Sequence, residues 1–222
     1  MSKQARSGST SPTGSRPYRS TLRQDQARAT RLRIVDAARA LFIEQGYASA
    51  TIDAVAARAG VSRKTVFSSV GGKAELLTLA WDWALAGDDE PIGMADRPEV
   101  RRILELDDGG EAVAAWAQVQ AAVAARLAGP FQVLVVAADV DADAAALLAR
   151  NEGHRRSGAR TFVEHLDAIG ALRGDLDVER ATEIAAVLMD PTPAGRLVGD
   201  AGWAIDDYIA LVERMARAAL LA

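Results

Sequence analysis

The chain has 222 residues, of which 25% are charged and 5% aromatic, and its net charge is −4. This length suffices for one large domain or two small ones. The absence of cysteine excludes disulfides, iron–sulfur clusters and thiolate zinc sites, and it fits a cytoplasmic location. No apolar run reaches the roughly 18 residues that span a bilayer, and no apolar segment follows the basic N-terminus as in a secretory signal, so we expect no membrane contact.

The charges are distributed unevenly along the chain. Residues 1–80 contain thirteen Lys or Arg and five Asp or Glu, a net charge of +8. Residues 81–222 contain thirteen Lys or Arg and twenty-five Asp or Glu, a net charge of −12. A basic first third followed by an acidic remainder indicates that only the first third meets a polyanion.

Residues 1–26 are rich in Ser, Thr, Arg, Gly and Pro and almost devoid of apolar side chains. Such a segment cannot bury enough surface to offset its chain entropy, so we expect a disordered basic arm when the protein is free. The arm could lie along DNA phosphates or enter a minor groove, or it could be an inert solubilising tail. From about Arg28 to Gln45 the apolar spacing predicts a first helix, which Gly46 ends.

The pattern over residues 51–70 predicts two short helices joined by a tight turn. The first has apolar residues at the i, i+3, i+4, i+7 spacing from Ile52 to Ala59, and Gly60 suits a left-handed turn. Ser62 is placed to cap the second helix, whose outward residues are cationic or hydroxylic. A short cationic helix set across a glycine turn from a supporting helix is typical of the helix-turn-helix motif.

A helix predicted over residues 73–85 has apolar side chains on two faces, which is typical of a connector packed between two domains. Acidic residues, Gly93 and the prolines at positions 91 and 98 then indicate a domain boundary. The sequence therefore predicts a helix-turn-helix domain over residues 27–86, connector included, and a second domain over residues 87–222.

The second domain is predicted to be helical throughout, which makes the fold class all-α. Its helices are expected at about 97–107, 111–128, 130–140, 143–172, 178–189 and 203–221, with a break at Gly129-Pro130. The apolar run of residues 131–136 could be a buried strand, but no second strand is available to pair with it, so we predict helix. The last helices have more apolar surface than one subunit usually hides, which predicts a homodimer interface formed by Ile184, Leu188, Ile205, Tyr208, Ile209, Val212, Met215 and Ala216.

The segment from Arg31 to Leu77 resembles a known family in the order and spacing of its elements. A first helix ending in ALFIEQGY is followed by ATIDAVAARAGVSRKTVF and then GGKAELL, a pattern similar to the N-terminal domain of the TetR (tetracycline-repressor-like) transcriptional regulators. Residues 81–222 carry no comparable signature and are similar only in being helical with apolar final helices. The resemblance implies a homodimeric, sequence-specific DNA-binding regulator, expected to be a repressor that a small effector releases from a roughly palindromic operator.

The resemblance further implies that the helix Arg63–Val70 enters the major groove of double-stranded DNA. Its first three residues would lie nearest the base edges, while Thr51 and Lys73 would bind phosphates. The family pattern has a tyrosine and then an aromatic or histidine pair where this chain has Phe67 and two serines, so contacts there would be weaker or water-mediated. The implied DNA-binding set is Thr51, Ser62, Arg63, Lys64, Thr65, Phe67, Ser68, Ser69 and Lys73.

Five aromatic residues could line an apolar ligand cavity in the second domain, where members of the family it resembles bind small, often hydrophobic effectors. They are Trp81, Trp83, Trp116, Phe131 and Phe162. Taken singly, each fits an ordinary core position better; their concentration around the connector and the central helices is what suggests a cavity.

The sequence has no Walker loop, dinucleotide fingerprint, GxSxG elbow or HExxH motif, so we expect no enzyme and no cofactor. The run of residues 139–143 imitates the start of a calcium loop, but Ala144 and Arg150 stand where glycine and glutamate are needed. His154 and His165 lie eleven residues apart, and neither forms a recurring i, i+3 or i+4 pair with an acidic residue on one helix face, so we expect no metal site. Two other functions stay open: a sequence-indifferent architectural DNA-binding protein, and an enzyme whose basic N-terminus is incidental.

Overall fold

The computed structural model describes residues 16–222, with side chains from residue 22 onward. Its helices are α1 Arg16–Gln45, α2 Ile52–Ala59, α3 Arg63–Ser69, α4 Lys73–Ala86, α5 Pro98–Ile103, α6 Gly109–Ala138, α7 Ala142–Ala168, α8 Val178–Leu188, α9 Thr192–Ala194 and α10 Ile205–Leu220. A 3₁₀ turn at Met94–Asp96 precedes α5, and a π-helix at Gly195–Asp200 follows α9. The described residues contain no strand beyond one isolated bridge between Leu172 and Leu221, so the all-α prediction is confirmed.

The first hydrophobic core lies between α1, α2, α3 and α4. Ile34, Val66 and Leu76 are each fully buried there. The same cluster continues into Leu134 of α6 and Leu147 of α7, which are also buried. The helix-turn-helix domain therefore packs directly on two helices of the second domain and shares a core with them.

The second core lies between α5, α6, α7, α8 and α10. It is built around Trp116, Phe162, Tyr208 and Val212, with alanines such as Ala117 at the helix crossings. Small residues at these crossings let the helix axes approach closely, as helix packing requires. This core holds the second domain together apart from the contacts with the first.

The first helix begins at Arg16, about one dozen residues before the expected start at Arg28. Residues 1–15 of the predicted disordered arm lie outside the described residues, whereas residues 16–26 are helical. Two physical reasons account for the longer helix. The segment after residue 21 is rich in Leu, Arg, Gln and Ala, all good helix formers. In addition, the guanidinium of Arg28 makes two hydrogen bonds with the carboxylate of Asp89 and so fixes this part of α1 to the start of the second domain.

The predicted break at Gly129-Pro130 is wrong, because α6 continues through both residues to Ala138. The apolar run that follows is helical, as predicted. Gly129 lies where α6 crosses α1, and a Cβ there would come 3.2 Å from Cδ1 of Ile43. Close helix packing thus keeps α6 continuous despite the proline, since tertiary contacts outweigh local propensity. Within the described part of the chain, α6 alone is long and apolar enough to cross a membrane, but a buried helix of a globular protein passes the same test and α6 packs in both cores.

Candidate nucleic-acid interface and ligand cavity

The helix-turn-helix is held by two side-chain caps. Thr51 Oγ1 accepts a hydrogen bond from the Ala54 amide at 3.1 Å, and Ser62 Oγ accepts one from the Thr65 amide at 3.1 Å. Gly60 between the two helices has φ of 67°, the left-handed conformation that glycine adopts without strain. Because the Thr51 hydroxyl is used there as an acceptor, its own hydrogen stays available to a phosphate oxygen.

The outer face of α3 is cationic and accessible. Arg63, Lys64, Phe67 and Ser68 are exposed, with 47% of Phe67 accessible, while Thr65 and Ser69 are partly covered. The buried Val66 fixes the opposite face to the core. Every residue of α3 in the predicted DNA-binding set therefore lies on or at the edge of a surface that a duplex could reach.

Arg63 is already engaged within the motif. Its Nη1 donates to Asp53 Oδ2 at 2.8 Å, and its guanidinium carbon lies 5.6 Å from the centre of the Phe67 ring. Both side chains of the ion pair are more than half exposed, so the pair is weak and separates readily. Binding a base edge would require Arg63 to leave Asp53.

Lys73, the other predicted phosphate ligand, lies at the start of α4 and is partly buried. Its Nζ donates to the Ala48 carbonyl at 3.0 Å and lies 4.4 Å from the centre of the Tyr47 ring. Burial lowers the pKa of Lys73, although the nearby carboxylate of Asp141 opposes that shift. The ammonium is thus held against the α1–α2 loop.

A cavity of about 1290 Å³ lies between α4, α6, α7 and the segment of residues 88–94. All five of the predicted cavity aromatics line it: Trp81, Trp83, Trp116, Phe131 and Phe162. Trp116 and Phe162 stack with ring centroids 4.8 Å apart, and Trp81 is tilted against Phe131 at 6.3 Å. A cavity of this size with aromatic walls is suited to a small apolar molecule.

The cavity has parts that the sequence did not indicate. Arg28 and Arg31 of α1, and Ser68 and Ser69 of α3, lie at its wall together with residues of the second domain. Asp82 also lines the cavity, and burial raises the pKa of its carboxyl, with Arg150 and His154 acting in the opposite direction. These five lining residues come from three separate helices, α1, α3 and α4, so no spacing along the chain could have grouped them.

The predicted dimer residues divide into two groups in the structure. Tyr208, Val212 and Ala216 are at most 5% exposed, because they point into the second core of their own subunit; their assignment to a dimer surface is corrected. Ile205 and Met215 are exposed at 38% and 47%, and Ile184, Leu188 and Ile209 are partly exposed. Val187, which the sequence reading did not single out, is 70% exposed on α8. The helical stripe on α10 was too wide for one face, and only its outer edge is accessible.

Asp141 and His165, two of the residues weighed as metal ligands, have structural partners. Asp141, in the run that imitates a calcium loop, caps α7 by accepting hydrogen bonds from the amides of Asp143 and Ala144. His165 Nε2 lies 2.9 Å from the Leu106 carbonyl oxygen. Across the described residues no three His, Cys, Asp or Glu side chains are grouped in a way that could hold a metal ion.

The motif, its cationic face and the cavity-bearing helical domain behind it define a two-part helix-turn-helix protein. A family model described as "Bacterial regulatory proteins, tetR family" matches residues 34–80. Two transcriptional regulators of the HTH type, TtgW and SrpR, both from Pseudomonas putida, are each 37% identical over 75 residues, or 34% of this chain. The chain covers 53% of the first and 33% of the second.

The likeness of fold extends further than the likeness of sequence. The crystal structure of NalD, described as the secondary repressor of the MexAB-OprM multidrug efflux pump in Pseudomonas aeruginosa, aligns over 88% of this chain and 98% of its own with a TM-score of 0.62 and 15% identity. At that identity the match concerns the fold alone. The match to the tetR family of bacterial regulatory proteins therefore rests on residues 34–80, while the rest of the chain shares only the fold of a protein such as NalD.

Proposed function

We propose that the chain is a sequence-specific DNA-binding transcriptional regulator that responds to a small, largely apolar effector. The observation that carries this proposal is the combination of an exposed cationic α3 with an aromatic cavity whose wall includes the connector α4. Such a protein acts in the cytoplasm on double-stranded DNA and needs no catalytic chemistry. We further propose that it is a repressor.

On DNA, α3 would lie in the major groove with its N-terminal residues towards the base edges. Arg63, once released from Asp53, has the planar guanidinium that pairs with guanine O6 and N7. Thr51 and Lys73 would bind phosphates on either side. Ser68 and Ser69 are too short to reach deep into the groove, so the specificity at their positions would come through water.

Two subunits would pair through the accessible edge of α8 and α10, which includes Ile184, Val187 and Met215. A two-fold dimer of this kind presents two α3 helices to successive major grooves, ~34–36 Å apart, and so reads a roughly palindromic operator. The exposed and partly exposed apolar side chains on this edge are the ones that such an interface would bury.

An effector in the cavity would act on the DNA-binding domain through α4. Residues of α4 from Leu79 to Ala86 line the cavity, and Arg126 of α6 donates to the carbonyls of Ala84 at 3.0 Å and Leu85 at 2.9 Å. The C-terminal end of α4 would therefore move together with α6, while the start of α4 is part of the helix-turn-helix domain. The effector must bind the two arrangements of α4 with different affinity, since otherwise no shift between them follows.

The test is to select duplexes from a random-sequence library with the full chain and then to measure competition by bulk DNA. A sequence-specific regulator prefers its selected site by ~10³ or more. Arg63→Ala should relax the preference at one base pair, whereas Lys73→Ala should weaken binding to all duplexes and reduce the salt slope by about 1. Arg102→Ala removes an exposed arginine of α5 and is the matched control for charge. It should change neither the base preference nor the salt slope.

The alternative is an architectural DNA-binding protein indifferent to sequence. It is favoured by the ion pair of Arg63 with Asp53 and by the short serines of α3, both of which weaken base contacts. Equal binding of selected and bulk DNA by the wild-type chain would support this alternative and contradict the regulator. An enzyme with an incidental basic N-terminus would be revived if DNA binding survived Arg63→Ala combined with Lys73→Ala.

A further inference from the structure

Tyr47 makes a contact between the two domains that the DNA-binding motif does not explain. It lies in the loop between α1 and α2 and is only 4% exposed. Its hydroxyl donates to Oδ2 of Asp141, in the turn between α6 and α7, at 2.8 Å. Burial and this hydrogen bond raise the pKa of the Tyr47 phenol, so it stays protonated and remains the donor.

The other oxygen of Asp141 holds the start of α7. Oδ1 accepts hydrogen bonds from the amides of Asp143 at 2.9 Å and Ala144 at 3.1 Å, which makes Asp141 the N-cap of that helix. One carboxylate thus joins Tyr47 to the first turn of α7. The hydrogen bond from Tyr47, followed by those from the two amides, lowers the pKa of Asp141, so the carboxylate is charged near neutral pH. Further along, α7 contributes Leu148, Asn151 and Phe162 to the wall of the cavity.

The opposite side of Tyr47 carries Lys73. The ammonium lies 4.4 Å from the centre of the Tyr47 ring and donates to the carbonyl of the next residue, Ala48. A cation over an aromatic face is attracted by the negative potential of the ring. Lys73 therefore takes its position from the Tyr47 ring and from the backbone that carries it.

We propose that Tyr47 is a positioning residue for DNA binding: its hydrogen bond to the N-cap of α7 fixes the ring and loop on which the phosphate-binding Lys73 is held. This inference rests on the proposed function, because it assigns Lys73 a phosphate. It also makes Tyr47 and Asp141 a second link between a wall of the cavity and a DNA contact, one that runs through α7 instead of along the length of α4.

The test measures binding of the full chain to a synthetic duplex of about 30 base pairs, or three helical turns, at a series of salt concentrations. Tyr47→Phe keeps the ring and removes only the hydroxyl. Tyr47→Phe should weaken binding by about three- to tenfold. It should also lower the salt slope, towards the value of Lys73→Ala, whose slope is expected to be smaller than that of the wild type by about 1. In the Lys73→Ala background the same change should cost less than about twofold, because Tyr47 acts through that lysine.

Two further variants complete the design. Asp141→Asn retains an acceptor for the α7 amides but loses the charged partner, so it should reproduce the effect of Tyr47→Phe. Thr182→Val removes a fully buried hydroxyl of α8 that donates to the Val178 carbonyl at 2.7 Å, without altering shape. As the matched control, it should leave affinity and salt slope unchanged.

Each outcome has a distinct meaning. If Tyr47→Phe and Asp141→Asn bind like the wild type, or if Tyr47→Phe weakens binding equally with and without Lys73, the positioning role is overturned while the proposed function stands. If the wild-type chain binds no duplex at any salt concentration, the proposed function fails and the positioning role with it. A reduced salt slope in both variants that disappears in the Lys73→Ala background supports the proposal.

Discussion

The guanidinium of Arg97 holds the carboxylate of Asp88 by two hydrogen bonds, of 2.7 and 2.8 Å. Arg97 is 7% exposed, and the pair closes the segment between α4 and α5 that forms one wall of the cavity. Hydrogen bonds from Arg97, and a further one from the Glu90 amide, lower the pKa of Asp88 to about 2. A buried arginine is costly without its partner, so this pair fixes the conformation of the wall.

Asp88→Asn should therefore lower the thermal stability of the chain at neutral pH. Since the folded-state pKa of Asp88 lies below its value in the unfolded chain, the stabilisation is present above pH about 4 and is lost as the pH falls towards about 2. Melting temperatures of wild type and variant should converge over that interval. Asp96→Asn, which breaks an exposed pair with Arg101, is the control and should have little effect at any pH. A constant difference between wild type and Asp88→Asn down to pH 2 would contradict the assignment.

Replacing two helical glycines with alanine should change the stability of the fold in opposite directions. Gly153 is exposed within α7, and an added Cβ would meet nothing within 4 Å, so Gly153→Ala should stabilise the fold by ~1 kcal/mol through helix propensity. At Gly109 a Cβ would lie 2.4 Å from the Cβ of Ala171, and Gly109→Ala should destabilise it by ~1–3 kcal/mol. Urea unfolding of both variants measures the difference. Equal effects of the same sign would show that the contact between α6 and the α7–α8 loop is wrong.

The proposed dimer surface can be tested with one buried charge. Val187→Glu should convert a dimer into a monomer, because it would bring an unpaired carboxylate into an apolar interface. Light scattering coupled to gel filtration gives the mass. Val136→Glu is the matched control, since Val136 of α6 is similarly exposed at 64% and its neighbours Leu134 and Ala137 belong to the first core, not to the core that includes α8 and α10. A monomeric wild-type chain, or equal loss of mass in both variants, would count against this surface.

Tryptophan fluorescence offers a direct test of the cavity. Three of the four tryptophans line it, whereas Trp203 does not and is 41% exposed. An apolar fluorophore such as N-phenyl-1-naphthylamine should bind saturably and quench tryptophan emission. Trp83→Ala should weaken its binding by about tenfold, in line with an aromatic contact of ~1 kcal/mol or more, while Trp203→Ala should not. Non-saturable binding, or equal weakening by both changes, would mean that the probe binds elsewhere.

The helix-turn-helix could be predicted from sequence because its signals are local. Caps at Thr51 and Ser62, the left-handed Gly60 and the apolar spacing of α2 all act within a few residues, and each is present as expected. The five aromatics that the sequence suggested as a group line one cavity in the structure, since large apolar side chains near a helix with two apolar faces are mostly buried beside it.

What only the tertiary structure decided depends on contacts between distant parts of the chain. The continuity of α6 through Pro130 and the inward orientation of Tyr208 are set by packing partners dozens of residues away. The same holds for the hydrogen bond from Tyr47 to Asp141, which joins residues 94 positions apart. Sequence by itself determined the periodic and capped elements, because propensity and capping act over one helical turn. Only the tertiary structure decided which face of each helix contacts which neighbouring helix, because burial is a property of the whole packed core.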